Sequence, residues 1–192
     1  MRFEALEVEG AFLVRPEPRG DARGWFARVF CAEEFAANGL EPGVAQVNLA
    51  TTADAGTVRG LHYQLPPAAE AKLVRCVDGA IFDVVVDNRP WSATFGRWAG
   101  VELGADDAVA LYVPPGCAHG YQALTDGARA LYQASAPYTP ELERGIDHAD
   151  PELAIAWLLP PRNVSEKDRA LPTLRAADLP TPPAQAGKPM PS

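Results

Sequence analysis

Proline and glycine divide this chain more finely than any other feature of its sequence. Nineteen prolines and sixteen glycines are spread over 192 residues, and turn signals recur roughly every eight to fifteen residues. Proline fixes φ and removes a backbone donor, so long uninterrupted helices are not expected. Short runs between turns at this spacing are typical of a sandwich or barrel. We therefore predict an all-β fold.

The runs between these turns predict seven strands and one short helix. The helix is expected at residues 32–38, closed by Gly39. Asp78-Gly79 supplies the two positive-φ positions of a tight turn, so the strands on either side are predicted to form an antiparallel hairpin. The strands are expected at 10–15, 44–49, 72–77, 80–87, 97–103, 110–113 and 128–135.

The concentration of proline near the C-terminus divides the chain into a domain and a tail. We predict a single domain over residues 1–177, because a chain of this size buries enough surface to hold one core. Residues 178–192 contain five prolines and little to bury, so an extended or disordered tail is predicted.

Composition and charge exclude several classes of protein. The chain has 25 acidic and 17 basic residues and a formal charge of −8, which argues against nucleic-acid binding through a broad basic face. Cys31, Cys76 and Cys117 form no CxxC pair, so neither a disulfide framework nor a zinc knuckle is indicated. The N-terminus lacks the pattern of a signal peptide, and no run approaches about 18 apolar residues. We expect a cytoplasmic protein with no membrane span.

Histidines are the natural candidates for proton transfer at neutral pH. His62 lies in Arg59-Gly-Leu-His-Tyr-Gln64, where the glycine suggests a tight passage of the backbone past a ligand. The alternative for His62 is a structural residue that caps a turn. His119 lies at the mouth of a predicted strand, and His148 is expected in a solvated loop. Neither His62 nor His119 has a second histidine two residues away, as cupin metal sites require, so no metal is predicted.

Strand alternation selects a lysine and a tyrosine. Lys72, Val74 and Cys76 share one face of a predicted strand. Lys72 is therefore expected to point into the barrel, and a buried lysine indicates a specific role for its charge. Tyr132 shares its face with the two small residues on either side of it, which leaves room around the ring. A tyrosine hydroxyl facing such a space can act as a general acid, and the alternative is a core tyrosine at the rim.

Two more segments have both a local and a functional interpretation. Ser165-Glu-Lys-Asp168 matches a helix capping box, although an aspartate here could also orient a histidine. Arg23-Gly-Trp-Phe26 combines groups that grip phosphates and stack on bases, or it forms a hairpin with core aromatics. No dinucleotide fingerprint, P-loop or nucleophile elbow is present.

Taken in order, these segments resemble the dTDP-4-dehydrorhamnose 3,5-epimerases. The resemblance covers roughly residues 10–172, and the motifs agree in both order and spacing. The segments that carry it are Arg59-Gly-Leu-His-Tyr-Gln64, Lys72-Leu-Val-Arg75, Asp78-Gly-Ala-Ile-Phe-Asp-Val85, Pro114-Pro-Gly-Cys-Ala-His-Gly120, Leu131-Tyr132, Tyr138-Thr-Pro-Glu141, Glu143-Arg-Gly-Ile146 and Ser165-Glu-Lys-Asp168.

The resemblance implies a cupin-like jelly roll (a double-stranded β-helix) with a few short helices, acting as a homodimer without metal or cofactor. The implied reaction is epimerisation at C3 and C5 of a dTDP-4-keto-6-deoxy-hexose through an enolate. By the same resemblance, His62 is the base, held by Asp168. Lys72 stabilises the enolate, and Tyr132 delivers the new proton at C5 from the opposite side of the sugar.

The resemblance also implies a set of substrate contacts, some of them contributed by the partner subunit. Arg59 faces the diphosphate, and Asp83 is a candidate for supporting the cavity residues from outside. The other implied contacts are Arg23, Phe26, Gln46, Asn48, His119 and Tyr138.

Three departures from the family pattern concern the substrate more than the chemistry. Arg28 stands where many members have glutamate, and His148 replaces a common tryptophan. Gln46-Val-Asn-Leu-Ala50 stands where many members read Gln-Asp-Asn-His-Ser. They motivate one alternative, an epimerase that acts at C3 alone on another nucleotide 4-keto-sugar in secondary metabolism. A second alternative is a non-catalytic cupin-like sugar-binding module, because a pocket can outlive its chemistry.

Overall fold

Two antiparallel β-sheets that face each other make up the protein in a computed structural model that describes residues 1–182. In spatial order, the six-stranded sheet consists of β1 (Arg2–Ala5), β2 (Phe12–Arg15), β10 (Ala110–Val113), β7 (Lys72–Asp78), β12 (Ala128–Ala134) and β5 (Gln46–Thr52). The five-stranded sheet consists of β13 (Glu143–Gly145), β6 (Val58–Gln64), β11 (Ala118–Ala123), β8 (Ala80–Val86) and β9 (Trp98–Gly104).

Three small elements complete the fold. β3 (Arg19–Asp21) and β4 (Gly24–Phe26) form a separate two-stranded hairpin. The two helices are short, α1 (Ala32–Ala37) and α2 (Glu166–Arg169). The architecture is a cupin-like jelly roll, and the prediction of an all-β fold is confirmed.

The main core lies between the sheets and is built by strand alternation. Val74 and Leu111 from the six-stranded sheet meet Ile81, Val85 and Leu103 from the five-stranded sheet, and all five are almost fully buried. Each such side chain contributes about 1.5–3 kcal/mol on burial. Because side chains alternate along a strand, the same phase that buries these residues turns polar residues of the same strands toward the space between the sheets.

The outer face of each sheet is covered separately. Phe35 of α1 packs on Tyr112 of β10, which closes one side of the six-stranded sheet. The segment after β13 covers the five-stranded sheet, where Ile146, Leu153 and Leu174 pack on Phe82 and its neighbours. This covering segment also contains α2, which contacts β6.

The seven predicted strands and the helix are present, with ends shifted by a few residues, but the hairpin prediction is wrong. β7 pairs with β10 and β12, whereas β8 pairs with β11 and β9. Asp78 lacks the positive φ predicted for it, whereas Gly79 has it, at +70°. Its carbonyl accepts from Ala105 N at 3.0 Å and Ala80 N donates to Thr125 Oγ1 at 3.1 Å. The turn is therefore tied to other loops and crosses from one sheet to the other.

Two local expectations need correction. His148 is buried, at 9% exposure, and packs beside Trp157 instead of lying in a solvated loop. The first residues of the predicted tail pack on the domain: Tyr63 Oη donates to the carbonyl of Asp178 at 2.7 Å, and Pro180 is buried. The remainder of the predicted tail, 183–192, lies outside the described residues. Within residues 1–182 no helix is long and apolar enough to cross a membrane.

Candidate active site

A cavity of about 750 Å³ opens between the two sheets. Inward-facing residues of both sheets line it, together with the loop that follows β12 and the start of α2. The six-stranded sheet contributes Gln46, Asn48, Lys72 and Tyr132, the five-stranded sheet contributes Arg59, His62, His119 and Glu143, and the flanking segments contribute Glu70, Tyr138 and Asp168.

A histidine–aspartate pair stands at the edge of this cavity. His62 Nε2 lies 2.8 Å from Asp168 Oδ1, and Gly60 N donates to Asp168 Oδ2 at 3.3 Å. Burial alone would raise the pKa of Asp168, but the hydrogen bond and charge of His62 and the Gly60 N–H outweigh it and lower that pKa. An ionised Asp168 accepts from Nε2–H, so the Nδ1 atom of His62 is left as the proton acceptor.

Asp168 also carries out the local role that its sequence motif predicted. Its backbone N–H donates to Ser165 Oγ at 3.0 Å, which caps the first turn of α2. The cap fixes the backbone of Asp168, and the side chain is then free to point at His62. One residue thus serves both interpretations of the Ser165–Asp168 motif.

Two glycines allow β6 and β11 to approach closely. A Cβ on Gly60, where φ is +107°, would lie 2.7 Å from the carbonyl oxygen of His119, and a Cβ on Gly120 would lie 2.5 Å from that of Arg59. Both distances are shorter than real Cβ contacts. The tight passage predicted at Gly60 is therefore a contact with a neighbouring strand, and it sets His62 directly across from His119.

His119 has a carboxylate partner of its own. Its Nε2 lies 2.7 Å from Asp83 Oδ1, and Asp83 is fully buried. Burial raises the pKa of Asp83, and His119 offsets part of that rise. Asp83 thus supports His119 from outside the cavity and does not contact Lys72.

Lys72 and Tyr132 lie on the opposite wall from the two histidines. On paired strands Lys72 lies across from Ala134 and Tyr132 across from Val74, so the two side chains are diagonal neighbours on the inner face. Lys72 is only 11% exposed and forms an ion pair with Glu70. Burial, and after it the charge of Glu70, raises the pKa of Tyr132, so its hydroxyl carries a proton at neutral pH.

Arg59 is held in the cavity by β5. Its Nε donates to Thr52 Oγ1 and its Nη2 to the carbonyl of Thr51, both at 3.1 Å. Tyr121 Oη lies 2.9 Å from the same Thr52 hydroxyl. A guanidinium fixed in this way provides a positive charge for an anionic ligand.

Tyr138 and Glu143 line a further part of the cavity. Tyr138 donates from its hydroxyl to Glu143 Oε2 and from its backbone N–H to Gln46 Oε1, both at 2.8 Å. The hydrogen bond to Glu143 raises the pKa of Tyr138. Burial would raise the pKa of Glu143, but Lys167 and Tyr138 lower it, so this carboxylate is ionised beside the cavity.

The structure brings nine of the eleven predicted catalytic and substrate-binding residues to one cavity. The other two, Arg23 and Phe26, lie on the β3–β4 hairpin and do not line the cavity of their own chain. Phe26 is 72% exposed, and Arg23 forms an ion pair with Asp21 at 2.6 Å. Among residues 1–182 no cluster of three or more histidine, cysteine, aspartate or glutamate side chains has the arrangement of a metal site.

Sequence reasoning missed several polar cavity residues, among them Gln64, Glu70 and Glu143. Glu70 carried a usable signal, because it stands two residues before Lys72 and therefore in phase with it. Gln64 has the same phase relation to His62. Glu143 begins a segment of the family resemblance, but no strand alternation placed it, since its position depends on the pairing of β13 with β6, where it lies across from Gln64.

Fold and cavity together define a cupin-like jelly-roll protein with proton-transfer groups on both walls. The family model of dTDP-4-dehydrorhamnose 3,5-epimerase matches residues 5–176. The chain therefore belongs to the dTDP-4-dehydrorhamnose 3,5-epimerase family, and it is an isomerase.

Individual relatives agree with this assignment. The chain is 42% identical to the dTDP-4-dehydrorhamnose 3,5-epimerase of Sinorhizobium fredii over 175 residues, covering 91% of this chain and 90% of that one. It is 39% identical to the dTDP-4-dehydrorhamnose 3-epimerase of Streptomyces niveus, with full coverage of both chains. A crystal structure of the dTDP-6-deoxy-D-glucose-3,5-epimerase of Legionella pneumophila in complex with dTDP-4-keto-L-rhamnose superposes with a TM-score of 0.87. It is 34% identical, and the match covers 95% of this chain and 99% of that one.

Proposed function

We propose that this cavity epimerises dTDP-4-dehydro-6-deoxyglucose at C3 and C5 to give dTDP-4-dehydrorhamnose. Family membership supports the reaction, and the dTDP-4-keto-L-rhamnose bound to the Legionella relative supports the substrate class. The observation that carries the residue roles is that His62 and Tyr132 stand on opposite sheets across one cavity. An epimerase needs a base and an acid on opposite faces of the reacting carbon.

His62 is the base in this proposal. A proton next to a ketone is only weakly acidic, so its removal requires a positioned base and stabilisation of the enolate. His62 Nδ1 takes the proton, the C–H electron pair moves into the enolate, and the negative charge develops on the C4 oxygen. Asp168 stabilises the imidazolium that results, because its carboxylate lies 2.8 Å from the other ring nitrogen.

Lys72 and Tyr132 complete the cycle from the other wall. The Lys72 ammonium faces the C4 oxygen and stabilises the enolate in a cavity where low dielectric strengthens the interaction. Tyr132 then donates its proton to the opposite face of the carbon, which inverts the centre. His62 and Tyr132 regain their original protonation through solvent, so no net proton is consumed.

The remaining polar residues of the cavity are assigned to substrate binding. Arg59 is the cation for the diphosphate, because its guanidinium is already fixed by Thr51 and Thr52. His119, Gln46 and Asn48 line the same space, and Tyr138 offers an aromatic face beside the sugar and base. The three free thiols of the chain support the proposal of a reducing, cytoplasmic compartment.

A homodimer is proposed because Arg23 and Phe26 do not line the cavity of their own chain. An exposed phenylalanine on a hairpin is expensive in water, and stacking on the thymine in the partner's cavity would remove that cost. Val47 and Leu49 add exposed apolar surface on the edge strand β5, at 55% and 59% exposure. Both observations favour a second copy of this chain as the partner.

Mixing two inactive variants tests this arrangement. One is His62→Asn, and the other is a double variant, Arg23→Ala with Phe26→Ala. If the hairpin acts on the partner, a mixed dimer contains one cavity with an intact His62 and an intact hairpin, and activity returns on mixing. Absence of recovery, with mixed dimers shown by mass spectrometry, contradicts the proposal.

Proton NMR in D₂O tests the proposed reaction itself. The wild-type protein with dTDP-4-dehydro-6-deoxyglucose is expected to lose the signals of both the C3 and the C5 protons. His62→Asn should lose neither, and His148→Asn serves as the matched control because His148 lies outside the cavity. Exchange at C3 alone would instead favour the C3 epimerase, an activity that the Streptomyces niveus relative is named for. No exchange by folded wild-type protein would contradict the proposed function.

A further inference from the structure

A buried carboxylate and amide in the cavity wall have no part in the reaction as written above. The side chain of Glu70 is 9% exposed and Gln64 is 3% exposed. One carboxylate oxygen of Glu70 pairs with the Lys72 ammonium, and the other accepts from Gln64 Nε2 at 2.6 Å. Each oxygen of this carboxylate is therefore held by a separate partner.

Gln64 is itself fixed by backbone groups. Its Nε2 also lies within hydrogen-bond distance of the carbonyls of Ala68, at 3.0 Å, and Pro137, at 3.2 Å, while its Oε1 accepts from Thr139 N at 2.5 Å. Pro137 and Thr139 flank Tyr138. The amide thus joins the carboxylate on Lys72 to the segment that presents Tyr138 to the cavity.

A negative charge in this position opposes the stabilisation of an enolate. Glu70 cancels the formal charge of Lys72, the group assigned to the developing oxyanion, and like charges in a poorly solvated wall repel strongly. Glu70 therefore weakens the electrostatic stabilisation of the enolate, although it is buried and both of its carboxylate oxygens are hydrogen-bonded or paired. A role other than stabilising charge is expected for it. Lysine has a flexible four-carbon stem, so an ion-pair partner fixes where its charge lies.

We propose that Glu70 is a positioning residue for the epimerisation, which fixes the Lys72 ammonium opposite His62 and, through its charge, retains the proton on the Tyr132 hydroxyl. Gln64 holds the carboxylate in that place. This role rests on the proposed function. Glu70 touches neither the sugar nor the reacting carbon in this scheme, and it acts through Lys72 and Tyr132.

The surroundings of Tyr132 support the second half of the proposal. Burial, then Glu70, and more weakly Glu143 raise the pKa of Tyr132, while Arg59 lowers it. The titratable groups that line the cavity together with Tyr132 are Arg59, His62, Tyr63, Glu70, Lys72, His119, Tyr121, Tyr138, Glu143 and Asp168. Of the two carboxylates that oppose ionisation of Tyr132, Glu70 has the larger effect.

Steady-state kinetics of three variants test the role. Glu70→Gln keeps the shape and removes the charge, and we expect kcat to fall about tenfold to a hundredfold because the Lys72 ammonium is no longer fixed. We also expect the alkaline limb of the kcat profile to move to lower pH. Glu70→Asp keeps the charge with a shorter reach, so kcat falls while the alkaline limb stays in place. Glu102→Gln is the matched control, at an exposed carboxylate on β9.

A titration of Tyr132 separates this role from the proposed function. The ¹³C NMR signal of its Cζ, assigned by comparison with Tyr132→Phe, gives the pKa of the phenol without any substrate. The pKa should be lower in Glu70→Gln than in wild type and unchanged in Glu102→Gln. The same pKa and the same kcat in Glu70→Gln as in wild type would overturn the inference. Wild-type protein that shows no proton exchange would contradict only the proposed reaction, because the titration decides the effect of the Glu70 charge independently.

Discussion

Replacing Asp168 by asparagine tests the acid–base pair with little change in shape. The backbone N–H that donates to Ser165 Oγ is unaffected, so the cap of α2 remains. An asparagine oxygen can still accept from Gly60 N–H, which the aspartate does at 3.3 Å. What disappears is the negative charge beside His62 and the preference for the tautomer that leaves Nδ1 free.

The expected magnitude follows from the geometry of the pair. The side chain of Asp168 is 7% exposed, and its Oδ1 lies 2.8 Å from His62 Nε2, which places the charge centres about 4 Å apart. At an effective dielectric of about 20, the attraction between carboxylate and imidazolium is about 4 kcal/mol. Since about 1.4 kcal/mol corresponds to a factor of ten, kcat should fall about a thousandfold. Partial exposure of His62, at 30%, reduces this toward a hundredfold.

The assay is the rate of deuterium incorporation at C3, followed by NMR under saturating substrate. Asp147→Asn is the control, because Asp147 Oδ1 also lies beside a histidine ring, 3.2 Å from His148 Nδ1, but outside the cavity. Circular dichroism and thermal unfolding establish that both variants are folded. A folded Asp168→Asn protein whose kcat stays within about tenfold of wild type would refute the assignment of His62 and Asp168 as a working pair.

Three further outcomes are expected from the same geometry. Lys72→Met should lower kcat about a hundredfold to a thousandfold in the C3 exchange assay, with the larger effect on kcat than on KM, because a charge on the enolate acts only once the charge develops. Tyr132→Phe should still exchange the C3 proton but yield little product inverted at C5, as judged by NMR of the product; full inversion would exclude the phenol as the acid. Because folding lowers the pKa of Asp168, its contribution to stability is present above its unfolded pKa of about 3.9 and is lost as the pH falls through the folded value. Urea unfolding of Asp168→Asn should therefore depend less on pH below about pH 4 than wild type, and equal dependence would contradict this.

Local sequence signals predicted the strands well where the strand was both apolar and bounded by turns. β7, β8 and β12 satisfy both conditions. β6 was not predicted as a strand, and β11 was seen only as the start of one. Gly60 and Gly120 interrupt their apolar patterns and are typical of loops when only neighbours along the chain are considered. In the fold these glycines are required because two backbones meet there, and sequence alone does not say which backbone approaches.

Residue identity and residue contact were predictable to different degrees. His62 and Asp168 are 106 positions apart, and only the resemblance to a family paired them in advance. Glu70 needed no long-range information, since alternation places it on the inner face with Lys72. Glu70 was not predicted as a cavity residue because it lies before the start of the apolar run that defines β7. Arg23 and Phe26 are the opposite case, because they do not line the cavity of their own chain and their proposed role depends on the proposed dimer.

The crossing at Asp78-Gly79 connects the failed hairpin prediction to the chemistry. Had β7 and β8 paired in one sheet, Lys72 and Asp83 would have shared a wall, and His119 would have followed Asp83 there. Instead the turn sends β8 to the facing sheet. Lys72 and Tyr132 therefore remain on one sheet, and His62, His119 and Asp83 belong to the other. The separation of the proposed acid, Tyr132, from the proposed base, His62, is thus set by which sheet each strand joins. A two-residue turn motif does not encode that choice.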